Sequence, residues 1–112
     1  MYPLKYHPGL EKRWQTFSEY RQIVMIANEL NRAQNMLQKH DIYEMKQALE
    51  RAFELVDLTI EYARNSLRYE LLRFREILAE IYLNPDSQKH FFEKTMKPLL
   101  ALNSEAFITL NQ

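Results

Sequence analysis

Cysteine is absent from this chain of 112 residues and glycine occurs once, at Gly9. The first absence excludes disulfides, thiolate nucleophiles and thiolate metal sites, and is compatible with a reducing cytosol. The second excludes the glycine-rich loops that cradle phosphates, and with them most hairpin chemistry. Long hydrophobic runs are missing too: the longest, Ile23 to Ala27, is far short of the roughly 20 residues that span a bilayer, and Met1 to Gly9 has no basic stretch leading into an apolar one. A soluble, cytoplasmic protein without membrane contact is expected. Nor is there an excess of one charge. Fifteen basic residues balance fifteen acidic ones, so any attraction to nucleic acid must come from a local patch.

What is present is helix-forming. Leu, Glu, Lys, Arg, Gln, Met and Ala dominate, and apolar residues recur in steps of three and four, which predicts an all-α fold in a single domain spanning 1–112. Tyr2-Pro3 and His7-Pro8-Gly9 make 1–9 an extended arm, since a residue before proline is pushed out of the α region. The first helix is expected over about 10–39, carrying Leu10, Trp14, Phe17, Tyr20, Val24, Ala27, Leu30 and Leu37. Its apolar positions drift round the helical wheel, a pattern that a bend or supercoiling would produce. Asp41-Ile42-Tyr43-Glu44 reads as an N-cap with an acidic residue at the third helical position, so a second helix starts at Ile42, antiparallel to the first.

The next strong stop is Asn84-Pro85. From Met45 to Ile81 the apolar residues stay within one sector roughly 120° wide. This constant phase predicts one uninterrupted helix over 42–83, roughly 60 Å long, despite Asn65-Ser66. A third helix is expected over 86–110, capped by Asp86 or Ser87, kinked or restarted near Pro98 and recapped at Asn103-Ser104-Glu105. The whole is an antiparallel three-helix, or four-helix, bundle running up, down and up around one long central helix. A rod of that length overhangs any compact monomer of this size. It also carries a second apolar line, Leu55, Leu58, Tyr62 and Tyr69, outside its main stripe. Two apolar faces need two partners: either the first and third helices flank the central one, or two central helices pair in a twofold dimer.

Candidate chemistry is sparse. Arg64, Arg68 and Arg75 share an exposed face of the central helix, with Lys46 in the same sector, and such a face can hold a phosphate backbone or an acidic partner. Asp57 and Glu61 continue it, which favours a solvated face of intrahelical ion pairs. His90 and Glu93 stand three apart without the further inward carboxylates that a di-iron bundle uses, so neither a metal nor another cofactor is expected. Glu70 is the one carboxylate in the main apolar sector. No cysteine and no glycine-flanked serine is present to act as a nucleophile, so an enzyme is disfavoured. The aromatic arm and first-helix start, from Tyr2 to Tyr20, can pack over a bundle end or serve recognition.

Arg64-Asn65 in a small helical bundle resembles the Arg-polar pair of the HEPN ribonuclease and nucleotidyltransferase-partner family, whose motif places a histidine a few residues on. Residues 66–71 here read Ser-Leu-Arg-Tyr-Glu-Leu, with Glu70 where that histidine would stand, so the resemblance implies no nuclease activity. The sequence therefore points to a non-enzymatic helical interaction module, self-associating as a homodimer or docking a protein partner through Leu55, Leu58, Tyr62 and Tyr69. The alternative is a nucleic-acid- or nucleotide-associated helical protein using Arg64, Arg68 and Arg75.

Overall fold

The computed structural model describes residues 4–85 and 90–103. Two 3-10 turns, Leu10–Lys12 and Trp14–Thr16, lead into α1 (Glu19–Gln38), α2 (Ile42–Tyr62), α3 (Asn65–Leu83), α4 (Phe91–Lys94) and α5 (Met96–Ala101). The fold is all-α, without a strand among the described residues. No helix among them is long and apolar enough to cross a membrane.

The expected first helix over 10–39 is bent where the sequence permits it to be. Phe17 and Ser18 are extended, and the Ser18 side chain accepts the Arg21 backbone N–H, so α1 starts there rather than at Leu10. Burial explains the bend. The wheel drift of Leu10 and Trp14 marks a segment that turns across the end of α2, placing the Trp14 indole fully inside with its Nε1 donating to Thr59 Oγ1 at 3.0 Å.

At the other end of α1, His40 takes a left-handed φ of 60°. Its N–H reaches Leu37 O at 3.0 Å, while Asp41 N–H reaches Met36 O at 2.9 Å, the paired closure of a Schellman turn. Asp41 then caps α2 by accepting from Glu44 N at 3.1 Å. Only half of the anticipated reciprocal cap forms, because the Asp41 N–H that Glu44 would accept is already bound to Met36. Glu29 on α1 and Arg51 on α2, equally far along the chain from His40, pair at 2.9 Å and fix α1 and α2 as an antiparallel hairpin.

The uninterrupted 42–83 helix is overturned. Ala63 and Arg64 are extended, Asn65 has φ 55°, and α3 folds back along α2. Arg75 meets Asp57, and Tyr82 meets Phe53 and Glu50, an antiparallel register. Constant phase did not exclude this, because each half must carry its own apolar stripe and the two stripes here continue in angle while the axis reverses. Magnitudes favour the break. A straight rod would leave Leu71, Phe74, Leu78 and Ile81 in water, and burying each is worth about 1.5–3 kcal/mol. A single left-handed residue costs roughly 1–2 kcal/mol, and asparagine tolerates that conformation better than most. The molecule accordingly measures 36 × 34 × 22 Å instead of overhanging as a 60 Å rod.

The third helical segment departs from expectation as well. The interruption falls at Thr95, whose hydroxyl donates to Phe91 O at 2.6 Å, three residues before Pro98. Restarting at Met96 puts Pro98 in the first turn of α5, where its missing N–H has no intrahelical role, so of the expected kink or restart near Pro98 it is a restart that occurs, one turn earlier. The expected caps at Asp86 or Ser87, and the recap involving Ser104 and Glu105, lie outside the described residues. Ile23, Ile26 and Leu30 of α1, Met45, Leu49, Leu55, Val56 and Leu58 of α2, Leu71 and Leu78 of α3 and Leu99 of α5 form one core.

Candidate interaction surface on the third helix

The four residues of the anticipated partner face separate. Leu55 and Leu58 are buried inside the chain at 1% exposure each, whereas Tyr62 and Tyr69 are 42% and 71% exposed. Both leucines are therefore covered within the chain. Two side chains that the sequence reading passed over join the tyrosines: Leu72 and Leu83, at 43% and 72% exposure. On α3, Tyr69, Leu72 and Leu83 fall within about 60° of one another. The signal was available, since continuing the second apolar line beyond Tyr69 in helical steps leads to both. The exposed Arg73, Glu76 and Glu80 share this outer face.

The arginine triad separates too. Arg64 stands in the break and Arg68 on the first turns of α3, both exposed and neither in an ion pair among the described residues. Arg75 is held by Asp57 across the hairpin, Nε to Oδ1 at 2.6 Å and Nη2 to Oδ2 at 3.3 Å, and that bond pushes its guanidinium further up from its ordinary value. The intrahelical pairs expected from Glu61 to Arg64 or Arg68 do not form, because the break removes the helical spacing. A polar groove opens at the corner, walled by Gln15, Glu19 and Gln22 on one side and Tyr62, Arg64 and Leu67 on the other.

The densest polar cluster lies on the opposite side of α2, where the arm docks. Glu54 accepts three backbone N–H groups, from Lys5 at 2.8 Å, Tyr6 at 2.8 Å and His7 at 3.2 Å, with His7 Nδ1 3.1 Å from the same carboxylate. One turn away, Glu50 accepts the hydroxyls of Tyr6 at 2.7 Å and Tyr82 at 2.9 Å, so arm, α2 and α3 meet on one carboxylate. The Tyr6 bond, helped by that of Tyr82 and by the Lys5 charge, holds the Glu50 carboxyl below its ordinary value against the opposing pull of burial. Burial and the Glu50 bond push the Tyr6 phenol up, and the Glu50 bond does the same to Tyr82. The backbone N–H groups of Lys5, Tyr6 and His7 and both phenols are satisfied within the chain, which describes a clasp for the arm. The aromatic arm is thus packed on the bundle through Tyr6.

Glu70 is exposed on α3 beside a shallow groove walled by Phe74, Ile77, Pro98 and Leu102. No group of three or more His, Asp or Glu among the described residues is placed to hold a metal ion. Comparison with known proteins returns no match: no family model fits the chain, and neither a curated protein nor a solved structure is significantly similar to it.

Proposed function

We propose that this chain is a non-enzymatic helical interaction module that self-associates through the outer face of α3. The observation that carries the reading is the line of Tyr69, Leu72 and Leu83 along one helix, three of the five exposed large apolar side chains among the described residues, the others being Tyr43 and Tyr62. Such a line loses little by facing water singly but gains when two copies cover it. The charges beside it favour a second copy over a partner of one sign. Arg73, Glu76 and Glu80 mix both signs on the same face, so a twofold antiparallel pairing of two α3 helices sets Arg73 of each copy against Glu76 of the other while the apolar lines meet. Tyr62 adds apolar surface at the corner from which α3 departs. The cysteine-free composition suits a cytoplasmic setting.

Light scattering coupled to gel filtration tests this. A mass near twice 13.6 kDa is expected for the wild type, and the double variant Tyr69→Asp/Leu72→Asp should fall to the single-chain mass with unchanged helicity. A wild type that elutes at 13.6 kDa even at high micromolar loading removes the proposal.

A second reading, association with nucleic acid, draws on Arg64 and Arg68, which form no ion pair among the described residues. Its hallmark is steep weakening with salt, because phosphate binding releases counterions whereas apolar pairing does not.

A further inference from the structure

We propose that the groove between the N-terminal loop and α1 is a binding site for a phosphoryl anion, gripped by Arg13 and Arg21. Arg13 lies between the two 3-10 turns and Arg21 in the first turns of α1, eight residues apart in sequence. Both guanidinium groups nevertheless converge on one ring: their carbons lie 5.7 Å and 4.1 Å from the centroid of Phe17. The remaining wall is the loop His7 to Leu10, with Met25, and no acidic side chain among the described residues lines the groove.

Three features separate this pair from an ordinary solvated surface. First, neither arginine is in an ion pair among the described residues, as holds for Arg64 and Arg68, whereas Arg32, Arg51 and Arg75 each are. In a chain of balanced charge, two like charges held on one ring and left uncompensated form a local positive patch. The ring face offsets part of their repulsion through cation–π attraction, at about 0.5–1 kcal/mol for an exposed site, and leaves the N–H forks free to donate. Second, the scaffold is fixed beforehand. Phe17 packs edge-on against buried Trp14 at 5.8 Å, and Gln22 Nε2 donates to Trp14 O at 2.8 Å. The loop is closed by Leu10 N–H to His7 O, Arg13 N–H to Leu10 O and Thr16 N–H to Arg13 O. Gly9, at φ 83°, supplies the left-handed turn that brings this loop over α1. Third, the surface is concave, so an anion seated there is approached from two sides. Two guanidinium forks suit the tetrahedral oxygens of a phosphoryl group. His7 lines the same groove, but its Nδ1 faces Glu54, so its part is to shape the wall.

Isothermal titration calorimetry on the whole chain at low salt provides the test, with inorganic phosphate, pyrophosphate and adenosine triphosphate as separate probes. Saturable binding of at least one is expected, together with amide shift changes centred on Arg13, Phe17 and Arg21 in nuclear magnetic resonance spectra. Comparable affinity for pyrophosphate and the nucleotide would mean that the site reads phosphate alone; tighter nucleotide binding would mean that Phe17 and Met25 also contact the base. Each single substitution, Arg13→Ala or Arg21→Ala, should weaken binding roughly tenfold, the loss expected for one charge-assisted contact. The thermal midpoint should hold, since neither side chain is buried. Arg64→Ala/Arg68→Ala should leave the affinity unchanged. Absence of saturable binding by all three probes overturns the proposal, as does binding that survives the Arg13→Ala/Arg21→Ala double variant.

Discussion

Asp57 grips the guanidinium of Arg75 with both carboxylate oxygens across the α2–α3 hairpin, at 2.6 Å and 3.3 Å. This one contact joins residues that a straight helix would hold eighteen positions apart, and it takes Arg75 out of the pool available to an external anion. Both side chains are about half exposed, at 43% and 51%, so screening limits what the pair contributes. Asp57→Ala should therefore lower the unfolding free energy by no more than about 1 kcal/mol in urea titrations. If the protein binds an oligonucleotide, Arg64→Glu and Arg68→Glu should each weaken it and flatten its salt dependence, whereas Arg75→Ala should act far less. An equal effect from all three would mean that the pair with Asp57 opens on binding.

The corner between α2 and α3 rests on Asn65 at φ 55°. Glycine reaches this conformation without a Cβ clash and alanine does not. Asn65→Gly should leave stability unchanged within a few tenths of a kcal/mol, and Asn65→Ala should cost roughly 1–2 kcal/mol. Destabilisation of both variants to the same degree would point to the asparagine side chain instead of the backbone.

The all-α class and the hairpin through Asp41 were legible because each rests on local chemistry: propensity and a capping carboxylate. The break at residues 63 and 64 was not, because nothing in Ala63-Arg64-Asn65-Ser66 forbids a helix. It arises from long-range burial of Leu71, Phe74, Leu78 and Ile81, which a wheel drawn about a single axis does not register. The same blindness assigned Leu55 and Leu58 to an interface. On one axis they lie off the main stripe, yet the chain covers them itself. Ser18 is the opposite case: its capping of α1 is local chemistry set within a run of apolar steps, which a wheel does not weigh.

His40 occupies the left-handed position of the Schellman turn, which glycine fills with least strain. His40→Gly should stabilise the protein by up to about 1 kcal/mol, with the greater freedom of glycine in the unfolded chain offsetting part of the relief. Chemical denaturation of the two proteins at neutral pH measures it. A variant less stable than the wild type would show that the imidazole makes a compensating contribution.

The clasp at Glu50 should give stability two pH edges. The Glu50 carboxyl is depressed below its ordinary value of 4.5, so its contribution is complete above that value and disappears as pH falls through the depressed one. Tyr6 and Tyr82 are raised above 10.0, so theirs is complete below that value and is lost as pH climbs through the raised ones. Glu50→Gln removes the charge behind the acid edge and part of the alkaline one, burial being the larger cause for Tyr6. Its denaturation midpoint should fall less steeply on acidification, and the two phenols should ionise nearer 10.0 in ultraviolet difference titrations. Titration curves that superimpose on those of the wild type would exclude the carboxylate as the common acceptor.

Thr59 is the last point at which sequence and packing meet, and its variant separates two effects that burial usually mixes. The hydroxyl accepts from Trp14 Nε1 at 3.0 Å and donates to Leu55 O at 2.8 Å, with both side chains buried. Thr59→Val keeps the shape but leaves the indole N–H without an acceptor in a site closed to water. An orphaned buried donor costs about 1–3 kcal/mol. Thr59→Ser keeps the acceptor and removes only a methyl group, worth about 1 kcal/mol. Valine should therefore be the more damaging replacement although it is the more apolar one, and tryptophan fluorescence, which reports the indole environment, should shift in the valine variant alone. The reverse order in urea denaturation would mean that Trp14 is held by shape and that its hydrogen bond contributes little.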